Sequence, residues 1–163
     1  FRWLHESFGT NWRMTEMQAV IGRIQLKRMP QWQAQRLANA EAIWAAARQC
    51  PALRVPAVPE GSVHAAYKCY VFVKPELLKA DWNRDRILAE TAARGVPSFS
   101  GSCSEVYLEK AFDGTGYRPA QPLPVARELG ETSIMFMVHP TLHATEIQKT
   151  CDVLQEVMKL ASQ

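Results

Sequence analysis

The sequence predicts an α/β or α+β domain: a small mixed sheet covered on one face by helices and entered through a long helical arm. Three patterns carry that prediction. Near the N-terminus, capping residues precede apolar residues at a helical period. Further on, "YKCYVFVK" and "SIMFMV" have the apolar alternation and β-branched or aromatic content of strands. Between and after them lie stretches with helical spacing, and strands separated by helices in 163 residues suit one small sheet in one domain.

The arm begins at Thr15-Glu16-Met17-Gln18, which fits a capping box. Met17, Val20, Ile21 and Ile24 follow at i, i+3, i+4 and i+7, which predicts one buried stripe. Pro30 either kinks this helix or opens a second one, because proline is tolerated in a first turn where its N–H is not needed; a second helix is the expectation. It would run to about Gln49, with Leu37, Ala40, Trp44 and Ala47 on one face. A short strand at Leu53 to Val55 and a loop through Val58-Pro59-Glu60-Gly61 follow. In the next strand Tyr67, Cys69, Val71 and Val73 share one face, and Lys68, Tyr70, Phe72 and Lys74 the other. A helix from about Asn83 to Arg94 closes at Gly95, and Val96-Pro97-Ser98 can form a short strand.

From Phe99 to about Gln121 the periodicity dissolves into "SGSCSE", a helical hint at "VYLEKAF" and then "DGTGY". A loop of this length inside a domain is functional or disordered, and its aromatics argue against disorder. A helix around Val125 to Leu129 then leads into the strand "SIMFMV", ended by His139-Pro140. Ile147, Cys151, Leu154, Val157 or Met158, and Ala161 form the apolar stripe of the last helix.

Composition narrows the function classes. A formal charge of +3 arises from 19 basic and 16 acidic residues without a block of like charge, so nucleic acid is not expected as a partner. No apolar run approaches the roughly 20 residues of a membrane span, and Phe1-Arg2-Trp3-Leu4-His5 lacks the basic, apolar and small-residue order of a signal peptide. A soluble, cytoplasmic protein is expected, and the start at Phe1 reads as a piece of a longer chain. Cys50, Cys69, Cys103 and Cys151 are irregularly spaced, which suits reduced apolar side chains and not a disulfide framework or zinc knuckle. His139 and His143 are four apart, but Pro140 breaks the helix that such a pair needs, so no metal site is expected. Cys103 lacks a recognisable base and orienting group for nucleophilic work.

One stretch stands out chemically. In "FGTNWRMTEMQAVIG" an amide, Asn11, and a guanidinium, Arg13, precede a helix N-terminus, where unpaired N–H groups favour anions. The alternative is a cap or turn at Asn11 and a surface ion pair at Arg13.

The run "GTNWRMTEMQAVIGRIQLKRMPQWQAQR" closely resembles a segment of the DegT/DnrJ/EryC1/StrS family, the pyridoxal phosphate-dependent sugar aminotransferases of fold type I. "HAAYKCYVFV", "GVPSFSGSCSEVYLEKAF", "LPVARELGETSIMFMVHPTL" and "EIQKTCDVL" agree with members of that family in the same order. The resemblance implies that residues 1–14 are a loop from a large domain, 15–50 the arm and 51–163 the small C-terminal domain. It implies that Asn11 donates to the cofactor phosphate in a partner subunit of a homodimer. Arg13 is implied to lie in the same pocket, near the substrate's anionic groups or the cofactor. Where many members carry a His-Tyr-Pro-type segment, this chain has "SFSGSCSEVY", which by position makes Ser100, Ser102, Glu105 and Tyr107 substrate contacts. The implied substrates are a keto sugar nucleotide and an amino-acid donor, usually glutamate. The cofactor-linking lysine is implied to lie upstream, because Lys27, Lys68 and Lys110 do not match its motif. The fragment alone would then be inactive. A noncatalytic α/β module that binds a ligand or assembles subunits is the alternative.

Overall fold

Four α-helices, four strands and three short 3₁₀ turns follow one another in a computed structural model that describes residues 6–9 and 13–162. Helix α1, Glu16–Arg48, starts where the capping box places it. The Thr15 N–H donates to Gln18 Oε1 at 2.8 Å, and the Gln18 N–H donates to Thr15 Oγ1 at 3.3 Å. The expected second helix does not form: α1 runs uninterrupted through Pro30. A proline inside a helix removes one intrahelical hydrogen bond and crowds the preceding turn. The half that follows is anchored by burial of Ala40, Ile43, Trp44 and Ala47, which outweighs that local loss.

The chain divides into two compact units at Pro30 and again near Gly101 and Gly130. One comprises Phe1–Met29 with Ser102–Gly130, the other Pro30–Gly101 with Glu131–Gln163.

The second unit holds the sheet. Strands β1 (Leu53–Arg54), β2 (Cys69–Val73), β3 (Ser98–Phe99) and β4 (Ser133–Phe136) are ordered β1-β2-β4-β3. Every neighbouring pair is antiparallel, so the expected mixed sheet is corrected to an antiparallel one. The reason is strand order. β2 and β3 flank helix α2 (Arg84–Ala93) and run the same way, but β4 lies between them and opposes both.

Register sorts the side chains by face. Cys69 pairs with Phe136, Val71 with Ile134, and Leu53 with Val73, and all six are buried. With Ile43 and Trp44 of α1, Ile87 of α2 and the stripe of α4 (Ala144–Ala161), they form one core. Each fully buried Leu, Ile, Val or Phe there contributes about 1.5–3 kcal/mol through apolar burial. In α4 the expected Ile147, Cys151, Leu154, Val157, Met158 and Ala161 are all buried. Trp44 meets its polar requirement by donating Nε1–H to the Tyr70 carbonyl at 3.0 Å. The opposite face carries Arg54, Phe72, Tyr70, Met135 and Phe99. There the Arg54 guanidinium lies 4.3 Å from the Phe72 ring centroid.

Local signals fix the ends of α2. Asn83 caps it by accepting from the Arg86 N–H at 2.9 Å, and Gly95, at φ +76°, follows its last turn. Helix α3, Pro124–Thr132, begins with the proline and runs directly into β4. The predicted buried stripe on the arm is exposed: Met17 is 77%, Val20 58%, Ile21 57% and Ile24 47% accessible. Helical period identifies a common face but not what covers it, and the described residues leave this one open. No described helix is long and apolar enough to cross a membrane.

Candidate functional site

Asn11, the residue with the most specific expected role, lies outside the described residues. Arg13 is exposed, two positions before the capping box. That box bears on anion binding, because Thr15 Oγ1 already accepts from one of the orphan N–H groups at the start of α1.

The long irregular segment is ordered by its own hydrogen bonds. Gly101 begins it at φ +87°, and a Cβ there would come within 2.5 Å of Tyr70 Cε1, so both backbone and space require glycine. Ser100, half-buried, has its carbonyl engaged by Ser133 Oγ–H at 2.6 Å. Ser133 in turn gives its own carbonyl to Arg84 Nη1 at 3.0 Å. Ser100 thus sits on a brace between β4 and the exit of β3.

Ser102, Glu105 and Tyr107 belong to the other unit. Ser102 is exposed, while Glu105, which precedes the short 3₁₀ turn Val106–Leu108, and Tyr107, at its centre, are half-buried. Tyr107 donates its hydroxyl to Glu105 Oε1 at 2.6 Å and accepts from the Leu123 N–H at 3.0 Å. Its phenol is held above the ordinary tyrosine range, chiefly by that bond to Glu105. The two residues join loop segments sixteen positions apart, so each is already engaged before any ligand arrives.

Arg118, which sequence reasoning missed, fastens the same loop. Its Nε donates to the Tyr107 carbonyl at 2.9 Å, Nη2 donates to the Glu109 carbonyl at 3.2 Å, and Nη2 pairs with Asp113 at 2.6 Å. The only prior signal was the loop's length and aromatic content, since nothing in "GTGYRPA" marks an arginine that reaches back nine and eleven residues. Phe8 packs edge-on against Phe112, with centroids 5.4 Å apart, and Lys110 pairs with Glu6 at 2.8 Å. The arrangement shapes a surface and presents hydroxyls and carboxylates along it. It unites Glu105 with Tyr107, and leaves Ser100 and Arg13 on other segments.

The remaining titratable candidates have structural roles. Burial pushes the Cys50, Cys69 and Cys151 thiols up, which keeps them protonated in the core. His139 Nδ1 shares a hydrogen bond with Thr141 Oγ1 at 2.7 Å, and the His143 N–H donates to Glu146 Oε2 at 2.8 Å as α4 begins.

Comparison with known proteins adds the wider context. Residues 1–155 match the profile of the DegT/DnrJ/EryC1/StrS aminotransferase family. An aminotransferase of known structure from Psychrobacter cryohalolentis is 58% identical, with a TM-score of 0.85 over 98% of this chain and 42% of its own. The erythromycin biosynthesis sensory transduction protein EryC1 of Saccharopolyspora erythraea is 27% identical over 86% of this chain and 36% of its own length. The dTDP-3-amino-3,4,6-trideoxy-alpha-D-glucose transaminase of Streptomyces venezuelae is 25% identical over 95% of this chain and 38% of its own length. The chain therefore spans well under half the length of the relatives it matches.

Proposed function

The chain belongs to the DegT/DnrJ/EryC1/StrS aminotransferase family, and from that premise we propose that it forms the C-terminal part of an enzyme that transfers an amino group to a keto sugar nucleotide. The family match over residues 1–155 is the observation that carries this reading. The donor is an amino acid, glutamate by expectation, and the parent works as a cytoplasmic homodimer. Residues 1–14 are the loop leaving a large domain, 15–50 the arm, and 51–163 the small domain of a fold type I protein.

Pyridoxal phosphate, when bound, supplies the carbonyl and the electron-withdrawing ring through which an amino group leaves the donor and reaches the acceptor. The donor chemistry near the start of α1 suits its phosphate: an amide, a guanidinium and a helix N-terminus whose capping box engages the Thr15 and Gln18 N–H groups and leaves the intervening ones to the loop. In this reading Asn11 donates to that phosphate across the subunit boundary, and Arg13 offers a forked cation to the cofactor or the substrate's anionic groups. Ser100 and Ser102 offer hydroxyls to the sugar nucleotide. Glu105 and Tyr107 set the shape of the loop that faces it and offer their remaining lone pairs. None of these groups is the base or nucleophile of the reaction; the cofactor-linking lysine is assigned to the large domain.

The test uses the parent protein, glutamate and a set of keto sugar nucleotides, with the aminated sugar followed by mass spectrometry. Amination is expected, and replacing Asn11 with Ala should weaken cofactor retention about tenfold or more, as loss of a charge-assisted contact does. Failure with every donor and acceptor would sink the enzymatic reading. The 163-residue chain should take up no cofactor covalently; borohydride-sensitive visible absorbance would place the lysine here after all.

A second reading has its own support. The Saccharopolyspora erythraea relative carries the name of a sensory transduction protein, which favours a noncatalytic module that binds a ligand or assembles subunits. A parent that binds a sugar nucleotide without aminating it would favour that alternative.

A further inference from the structure

Where β2 and β4 part, the second unit carries a cleft of about 310 Å³ lined by Arg36, Tyr67, Lys68, Met137, Val138 and His139 together with the end of β4. Strand pairing stops at Cys69 and Phe136, and the chain just before β2 has an unusual backbone. Ala66, fully buried, sits at φ +45°, a left-handed conformation that residues other than glycine rarely adopt. Its N–H donates to His64 Nδ1 at 2.9 Å, and the His64 ring lies edge-on to buried Trp44 at 5.5 Å. The next residue, Tyr67, is turned outward and is 73% exposed.

Two cations share that ring. The Arg36 guanidinium lies 5.6 Å from its centroid and donates Nη1–H to the Tyr67 carbonyl at 3.4 Å; Lys68 Nζ lies 6.0 Å from the same centroid. On the far wall, Asn39, only 5% exposed, donates Nδ2–H to the His139 carbonyl at 3.3 Å. Asn39 is itself held by Gln35 Nε2–H at 2.9 Å, a part-buried bond within α1 that orients the amide toward that wall. Among the described residues the lining holds Arg36, Lys68 and His139 and no aspartate or glutamate, while Met137, Val138 and the end of β4 make an apolar side.

We propose that this cleft binds a phosphate monoester carried on an apolar body. The forked donors of Arg36 and the ammonium of Lys68 suit a dianion, where a carboxylate would bring one charge. The Met137 and Val138 side takes the apolar part, as concave sites with a few convergent polar groups do. The proposal is independent of the aminotransferase reading, because the site contains no residue assigned to cofactor or sugar nucleotide.

Calorimetric titration of the 163-residue chain with phenyl phosphate, inorganic phosphate and phenol tests it. Phenyl phosphate should bind saturably, inorganic phosphate several-fold more weakly, and phenol not measurably. Arg36→Gln and Lys68→Gln should each weaken phenyl phosphate binding about tenfold, and Arg36→Lys should lose less than Arg36→Gln. Met137→Glu places a carboxylate beside the cations without removing either, and should weaken binding comparably even if one of the other variants folds poorly. Unchanged binding in all variants, no saturable binding, or phenol binding as tightly as phenyl phosphate would overturn the site. Equal affinity for inorganic phosphate would overturn the apolar part of the ligand.

Discussion

At the scale of the residue, Glu105 and Tyr107 act first on each other. The hydroxyl that donates to Glu105 and accepts from Leu123 bridges the ends of the irregular loop. Tyr107→Phe should therefore raise amide exchange across residues 105–123 while leaving α4 protected; unchanged exchange in the loop would remove the bridging role. The sign of its pH dependence follows from a phenol raised in the folded chain. The bond is fully present below the ordinary tyrosine range and is lost as pH rises through the elevated value. In tyrosinate absorbance, Glu105→Gln should bring one tyrosine down toward its ordinary range, because the dominant cause of the shift is that bond. Gly101→Ala should cost about 1–3 kcal/mol, from a left-handed backbone and a clash with the Tyr70 ring, read by urea unfolding. A cost near zero would mean that the loop shifts freely. Some residue roles were legible in the sequence: Thr15 and Gln18 bond each other within one turn, and Gly95, at positive φ, follows the last turn of the helix it was expected to close. Arg118 and the Tyr107 bridge were not, since their acceptors and donors are set by how a loop without a period folds back.

At the scale of the element, period and caps located the described α-helices and three of the strands, but placed β3 two residues early, at Val96-Pro97-Ser98, and missed the continuity of α1. α1 crosses Pro30 because the cost of the proline is local while the packing that anchors the C-terminal half is cooperative. Pro30→Ala should stabilise the helix by about 1–3 kcal/mol, less what the unfolded chain gains in freedom when its proline is removed. Urea unfolding monitored by helical circular dichroism checks this, and a loss of stability would show that the proline is required where it stands. Asn83→Ala should cost about 1 kcal/mol through the lost cap of α2. The strand faces in "YKCYVFVK" were readable over Cys69, Val71 and Val73, which are buried, but not at Tyr67, expected on the same face, which precedes β2 and is exposed because alternation holds only within the strand. Their neighbour was not readable, because alternation says which way a side chain points and nothing about which strand lies alongside.

At the scale of the whole molecule, the exposed Met17, Val20, Ile21 and Ile24 face is an apolar surface on a charged helix, and such surfaces tend to associate. The 163-residue chain should form dimers in sedimentation equilibrium, and Ile21→Lys with Ile24→Lys should shift it toward monomer. A wild-type chain that stays monomeric at high concentration would count against this. By itself the sequence determined the class of domain, the caps, the apolar faces and, through its ordered motifs, the family, all of which rest on residues near one another along the chain. Only the tertiary structure decided that the sheet is antiparallel, that β4 enters between β2 and β3, that the arm is one helix with an open stripe, and that Tyr107 ties a loop. The physical reason is range. Helical and strand periods are written by local geometry, whereas strand order, cover and loop closure depend on which distant groups meet, and the chain settles that only by folding.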